Sequence, residues 1–564
     1  MKANRRRDWS WVLVPISYLL LAAAYAWPLI RRLTVALAGD GFDMYVFQWG
    51  NWWITESLGS GQSPYHTSMV FYPQGASLYF LSFSWFNTFI WWVLRPLAGG
   101  IAAYNLTVWW SWPLSAIGGY LLAKEITGDR RAAFIAGLVY AFYPYHFAQR
   151  NHLNLLSVQW IPLSLFFMIR GVRCGKMWYG VMAGFFLACS GLSGWHLLTL
   201  SLMLGGLWVL YSLLTEACEW TAGSWRALLV LAVTLPLLAG PLLVPIAWEQ
   251  LVNPEGQDSY LGKEGETQTD LVAYFVPNLY HPLWGDLAAP FHQHFLRNKD
   301  HAVTLGYVPL MLLGYGVLRW RKLGRRQRFW FFGLLFFWLL ALGPFPRVNG
   351  VAYPSIPLPY RLFGWTLPVR SLRNPERFNI LVGLCLALTT SIGLGDLAGR
   401  LPRRKAGLAA VAVGLLVLVE YWAWPFPTTE PEVPEFYHQL AAAEGDAAIV
   451  DLPITNDLSK LYMYYQTVHE RPTVTGHVSR PPEGAYDFIS SIPFLDSMWQ
   501  TRRPPEGGRL SEDLVLLAES DVEYIIVHRA RMDSGGWEAW QLYADVEPIS
   551  SGEDIYVYSI GEAR

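Results

Sequence analysis

Charge is what this chain is short of. Only 15% of its 564 residues are Asp, Glu, Lys or Arg, against roughly a quarter in soluble domains. The 42 basic and 43 acidic side chains leave a formal net charge of −1. Without a basic bias the chain lacks the electrostatic footprint of a nucleic-acid binder. Cysteine is scarce too. Its four positions, Cys174, Cys189, Cys218 and Cys385, are too scattered for a metal cluster or a disulfide framework. They read as small buried hydrophobes. No P-loop, GxGxxG, nucleophile elbow or HExxH pattern occurs, so the sequence shows no machinery for nucleotide-driven chemistry and no spaced metal-ligand set.

Apolar and aromatic residues fill the space that charge leaves. The chain is 53% hydrophobic and carries 29 Trp. Several apolar runs reach the roughly 20 residues that cross a bilayer. Basic Met1–Asp8 followed by Trp11–Ile30 resembles a signal peptide, with Ala36-Leu37-Ala38 as a cleavage point. The apolar run is long for that role and Arg31-Arg32 interrupts it, so it is expected to be a retained first helix with a cytoplasmic N-terminus. Further helices are expected at about 103–123, 131–148, 153–171, 177–193, 195–214, 225–247, 302–319, 328–343, 378–397 and 406–424. The second, fourth, eighth and tenth spans then end in basic clusters: Lys124, Arg130 and Arg131; Arg170, Arg173 and Lys176; RWRKLGRRQR; and RLPRRK. Four clusters on one side satisfy the positive-inside rule. The expected fold is an α-helical polytopic membrane protein of about 11 transmembrane helices, with a small C-terminal soluble α/β or α+β domain.

That plan assigns 1–424 to the membrane domain, 425–434 to a Pro-rich linker (WPFPTTEPEVPEF) and 435–564 to an extracytoplasmic domain. AAIVDLPI, VEYIIVHR and DIYVYSI read as its strands, with a helix near Glu435–Ala443. Segments 33–102, 248–301 and 344–377 become extracytoplasmic loops. The first holds SFSWFNTFIWWVL, too short to span and read as a helix lying in the interface. Trp49, Trp52 and Trp53 read as residues that sit where membrane meets water.

The first loop also places Asp40 and Asp43 at i, i+3 spacing, on one face if the turn is helical. An acidic pair at the end of a membrane helix is costly and points to function; solvated loop residues or helix caps are the duller reading. Other polar residues fall at the same depth. His146, Arg150 and His152 lie between the third and fourth spans, and Glu249 follows the seventh. Asp258, Tyr260, Asp270 and His281 lie in the second loop. Arg370, Arg373, Glu376 and Arg377 (RSLRNPERF) stand at the mouth of the tenth. A carboxylate can take a proton from an acceptor hydroxyl or help bind a divalent cation, magnesium or manganese. Arginines can hold a phosphate through planar forks, although snorkelling to lipid head groups would use them equally well. Acid and phosphate-holding cations at one interface are what glycosyl transfer from a lipid carrier requires.

At AGDGFDMYVFQW and the aromatic run that follows, the chain resembles the GT-C superfamily of integral-membrane glycosyltransferases. YAFYPYHFAQRNHLNLLSVQWIPL, LVAYFVPNLYHPLWG, LPVRSLRNPERF and YMYYQTVHERPTVTGHVSR are similar to stretches of poorly characterised bacterial and archaeal proteins grouped near it. The family's acidic pair is often adjacent, whereas Gly41 and Phe42 separate the two Asp. No WWDYG-like motif is present, so oligosaccharyltransferase activity is not implied. The resemblance implies a polyprenyl-phosphate sugar donor and transfer to an acceptor of unspecified identity on the extracytoplasmic face. Asp40 or Asp43 would be the base, and Arg373 and Arg377, with Arg370, His152, Glu249 and Asp270, would bind substrate and phosphate. A non-catalytic scaffold with a partner-binding C-terminal domain and a transporter are the competing classes. The second has little support, because few ionisable residues fall mid-helix.

Overall fold

The computed structural model describes residues 10–81, 83–252, 267–296, 302–364, 366, 369, 372, 374–479, 481–552 and 554–560. Asp258, Tyr260, Arg370 and Arg373 lie outside these described residues. The chain divides into two compact units. The first comprises 1–39, 84–247 and 257–429, and the second 40–83, 248–256 and 430–564. The linear plan did not anticipate that the first loop would join the C-terminal region.

In the first unit a helix stands at each expected span. Four helices among the described residues are long and apolar enough to cross a membrane: Leu153–Cys174, Trp195–Leu214, Ala222–Glu249 and Pro375–Ala398. Shorter apolar helices occupy Trp11–Tyr25, Met177–Ser193 and Tyr307–Leu318. Asn379–Ala398 is buried on all sides from Asn379 to Leu394, as its nearly continuous apolar sequence demands. It packs against Arg130–Phe142, Tyr307–Leu318 and Arg325–Ala341. The helix pair Ser111–Thr127 and Arg130–Phe142 approaches closely at Gly137, where a Cβ would meet the Ala116 carbonyl oxygen at 2.5 Å.

Prolines break two of the expected spans. The 103–123 segment forms Gly100–Trp109 and Ser111–Thr127. Pro113 has no N–H to give the Trp109 carbonyl, and its ring crowds that carbonyl. The 131–148 segment ends at Phe142 because Pro144 forces Tyr143 into an extended conformation, with ψ 128°. The aromatic run forms Trp85–Ala98. Its 14 residues give about 21 Å of helix, short of a ~30 Å hydrocarbon core.

The second unit is built on a four-stranded sheet. Ala448–Leu452 runs parallel to Val522–His528, which pairs antiparallel with Ile555–Ser559, and Ser550–Ser551 completes the edge. All three expected strands are therefore present, as is the helix, at Glu435–Ala442. A parallel pair needs a crossover, and that connection contains the helix Asn456–His469. Thr455 opens the helix by accepting from the Leu458 amide. The first loop is stitched to the same region. Tyr72 N donates to Thr473 O and Thr473 N to Met69 O, at 3.1 and 2.9 Å.

The three loop tryptophans correct the interfacial reading. Trp49, Trp52 and Trp53 belong to the helix Asp43–Gly59 and are 0%, 9% and 5% exposed. They pack with Val70, Phe71, Leu78, Met463 and Val478. A partner helix within the unit removes these rings from solvent, where the sequence alone offered only a membrane surface to cover them.

Candidate active site

Buried Asn105 fixes the chain that leads to Gly39. Its side-chain oxygen accepts from Ala38 N at 2.8 Å, and its amide donates to the carbonyls of Leu33 and Ala36. The strand Leu37–Ala38 pairs with Thr428–Thr429. Gly39 then adopts φ +118°, a left-handed conformation that favours glycine. Asp40 follows it, exposed, in a bend before the next helix. Because that helix starts at Asp43, the two carboxylates do not share a helical face. Asp43 sits in its first turn, where the helix dipole favours negative charge.

Asp43 is held by a residue that the sequence reading missed. Lys460 Nζ lies 2.7 Å from Asp43 Oδ1 and 3.0 Å from Asp457 Oδ1. Lys460 is 9% exposed. Burial alone would pull its ammonium downward, but Asp43 and Asp457 outweigh burial and the net shift is upward. The ion cluster thus keeps its cation well above neutral pH. The only sequence signal for it was the i, i+3 Asp457–Lys460 pair on an amphipathic helix.

His477 lies beside these charges, with Nδ1 2.7 Å from Asn456 Oδ1. Burial pushes it down to about 4, with a further contribution from the Lys460 charge. Deeper in the unit, Tyr437 donates to Asp451 Oδ1, and His528 Nε2 lies 3.1 Å from the same oxygen. Burial also pushes the adjacent His469 down to about 4. Unfolded imidazoles take up a proton near pH 6.5. Between about 6.5 and 4 the unfolded chain therefore binds protons that these two residues refuse when folded, and stability falls as pH falls through that window. A His469→Gln/His477→Asn variant should show a shallower drop in melting temperature from pH 7 to pH 4.5. An unchanged slope would assign the acid sensitivity elsewhere.

The remaining expected residues have different surroundings. Asp270 is 1% exposed. Its carboxylate accepts from the backbone N–H groups of Val272, Asn349 and Gly350 at 2.8, 3.0 and 2.7 Å. It ties down the turn between Arg347–Val348 and Val351–Ala352. Asp270→Ala should cost about 3 kcal/mol, from hydrogen bonds to a charged acceptor, read as faster hydrogen exchange at Asn349 and Gly350. The His152 carbonyl accepts from Leu155 and Leu156 N, opening Leu153–Leu156. Glu249 lies near the end of Ala222–Val252, half-buried. Arg377, on the turn Pro375–Phe378, donates from Nη1 to Leu372 O at 2.6 Å. Arg150, 1% exposed, gives Nη2 to the Tyr280 hydroxyl at 2.6 Å and stacks over the Phe147 and Tyr280 rings.

Among the described residues, no group of three or more His, Cys, Asp or Glu is placed to hold a metal ion. Asp43 is engaged by the Lys460 ammonium.

No family model matches the chain, and no curated protein matches its sequence. Solved structures do share its fold. The archaeal oligosaccharyltransferase AglB from Archaeoglobus fulgidus, solved with an inhibitory peptide and a dolichol-phosphate, aligns with a TM-score of 0.54 at 12% identity. The alignment covers 96% of this chain and 72% of AglB. A complex of the A. fulgidus oligosaccharyltransferase with zinc and sulfate gives 0.52 at 13% identity, over 94% of this chain and 70% of that one. The arabinofuranosyltransferase AftD from mycobacteria gives 0.58 at 14% identity, over 98% of this chain but only 40% of AftD. At these identities the likeness concerns the fold. The chain shares the fold of these oligosaccharyltransferase and arabinofuranosyltransferase structures, as the resemblance of its first loop and helix plan had led one to expect.

Proposed function

We propose that the protein transfers a sugar from a polyprenyl-phosphate donor to an acceptor hydroxyl on the extracytoplasmic face, with Asp40 as general base. The exposed Asp40 carboxylate, directly after the left-handed Gly39, is the observation that carries this reading. The shared fold supports it: AglB was solved with a dolichol-phosphate, and AftD is a glycosyltransferase by name. Asp43 serves as a positioning residue. Were it to take the acceptor proton, buried Lys460 would lose one of its two carboxylates. Arg377, with Arg370 and Arg373 in the same sequence stretch, is assigned to the donor phosphate, whose oxygens suit guanidinium forks. Proton removal raises the nucleophilicity of the acceptor oxygen as it forms the new glycosidic bond; the bond to the carrier phosphate breaks, and the phosphate leaves as an anion.

The test is reconstitution with polyprenyl-phosphate-linked pentose and hexose donors and an envelope glycan extract as acceptor. Release of polyprenyl phosphate coupled to acceptor labelling is expected. If the folded wild-type protein neither binds polyprenyl phosphate nor releases it from any donor, the transferase reading fails.

A further inference from the structure

A groove of about 700 Å³ opens in the first unit between the helices Ser10–Tyr25, Arg130–Phe142 and Arg403–Glu420. Among the described residues, the polar side chains that line it are Ser17, Arg130 and Arg131. Its walls include Leu20, Val411 and Leu415, which are 67%, 61% and 60% exposed, so apolar surface runs out of the groove onto the helix bundle. The floor is widened where Arg403–Glu420 presents Gly407, Ala410 and Gly414 rather than larger residues.

Among the described lining residues, charge is confined to one end. Arg131 Nη1 donates to the Arg403 carbonyl at 3.2 Å, which joins the start of one helix to the start of the other. Arg403, Arg404 and Lys405 begin the helix that Arg131 reaches, and Asp129 is the N-cap of Arg130–Phe142. From Gly407 to Leu418 the lined face covers roughly 16 Å of helix axis, about half of a ~30 Å hydrocarbon core. An apolar channel one leaflet deep, cationic at one end only, matches a single lipid of that leaflet with a negative head group. Basic pockets between membrane helices bind such head groups.

We propose that this groove is a binding site for an anionic glycerophospholipid, whose acyl chain lies against Val411 and Leu415 and whose phosphate meets Arg130 and Arg131. The proposal is independent of the transferase reading, because it uses none of the residues assigned to that chemistry.

The experiment is native mass spectrometry of the delipidated full chain titrated with phosphatidylglycerol, phosphatidylcholine or a polyprenyl phosphate. One phosphatidylglycerol is expected to be retained at least tenfold more tightly than phosphatidylcholine. Arg130→Gln/Arg131→Gln should abolish that preference, whereas Arg321→Gln/Lys322→Gln, a second basic cluster outside the groove, should leave it intact. A Val411→Trp variant, which fills the channel from an exposed position, should weaken phosphatidylglycerol while its melting temperature reports an intact fold. Equal retention of the two glycerophospholipids would overturn the proposal. So would equal loss in both arginine-cluster variants, or tighter retention of polyprenyl phosphate.

Discussion

Asp40→Asn is expected to lower sugar transfer by about 10²–10⁴-fold, the range that a positioned general base contributes, while leaving the fold and melting temperature unchanged. The separation of the two effects rests on geometry. Asp40 is exposed and precedes the helix Asp43–Gly59, and surface substitutions of that kind usually stay within about ±0.5 kcal/mol. Asparagine keeps the shape and one oxygen but cannot take a proton. Asp43→Asn separates base from positioning. Its amide oxygen can still accept from Lys460, so the helix start should hold and activity should fall less than for Asp40→Asn. If Asp43→Asn is the more damaging change and lowers kcat at unchanged KM, the roles of the two carboxylates are reversed. If both variants retain full activity, neither is the base. The measurement is initial rate against acceptor concentration for each variant, with melting curves alongside.

Much of this fold could be read from local pattern, because helices in a membrane must satisfy their own backbone and show as long apolar runs. The strands of the second unit were equally legible, since AAIVDLPI and VEYIIVHR are compact apolar stretches bounded by polar residues. What could not be read was long-range partnership. Lys460 is 417 positions from Asp43 along the chain, as Gln466 is from Trp49. Lys460 belongs to no motif, and although Gln466 lies within YMYYQTVHERPTVTGHVSR, neither departs from what an amphipathic helix surface normally carries. Tryptophan was misleading for a related reason. Its amphipathic ring suits both a membrane interface and a protein core, and only the partner surface decides. Asp270 shows the converse limit. An acidic residue in a loop looks the same in sequence whether it meets substrate or three backbone amides of a turn. The arginines at RSLRNPERF were visible as a cluster, but Arg377 donates to its own loop as well, a contact that sequence cannot show.

The largest effect on stability is expected from Trp49→Ala. Trp49 is fully buried, stacks on Trp53 at 6.0 Å with an interplanar angle of 11°, and contacts Trp52 at 6.2 Å. Truncating a buried Trp to Ala costs about 3–5 kcal/mol through lost transfer energy and the cavity left behind. A polar loss adds to this. The indole N–H donates to Gln466 Oε1 at 2.6 Å, while the Gln466 amide donates to the carbonyls of Met69 and Arg471. Removing the indole orphans a buried oxygen in a network that fastens the first loop to the C-terminal region. Trp49→Phe separates the two contributions, because it keeps most of the ring contact and removes only the donor, for about 1 kcal/mol. The expected readout is limited proteolysis within 40–83, about a thousandfold or more faster for Trp49→Ala than for wild type and several-fold faster for Trp49→Phe, since cleavage tracks the population of the open form when opening and closing are fast. Activity should fall with it: Asp43 begins the same helix, so release of that helix frees the positioning carboxylate. Equal protease resistance of Trp49→Ala and wild type would mean that the loop helix is held by something other than this aromatic core.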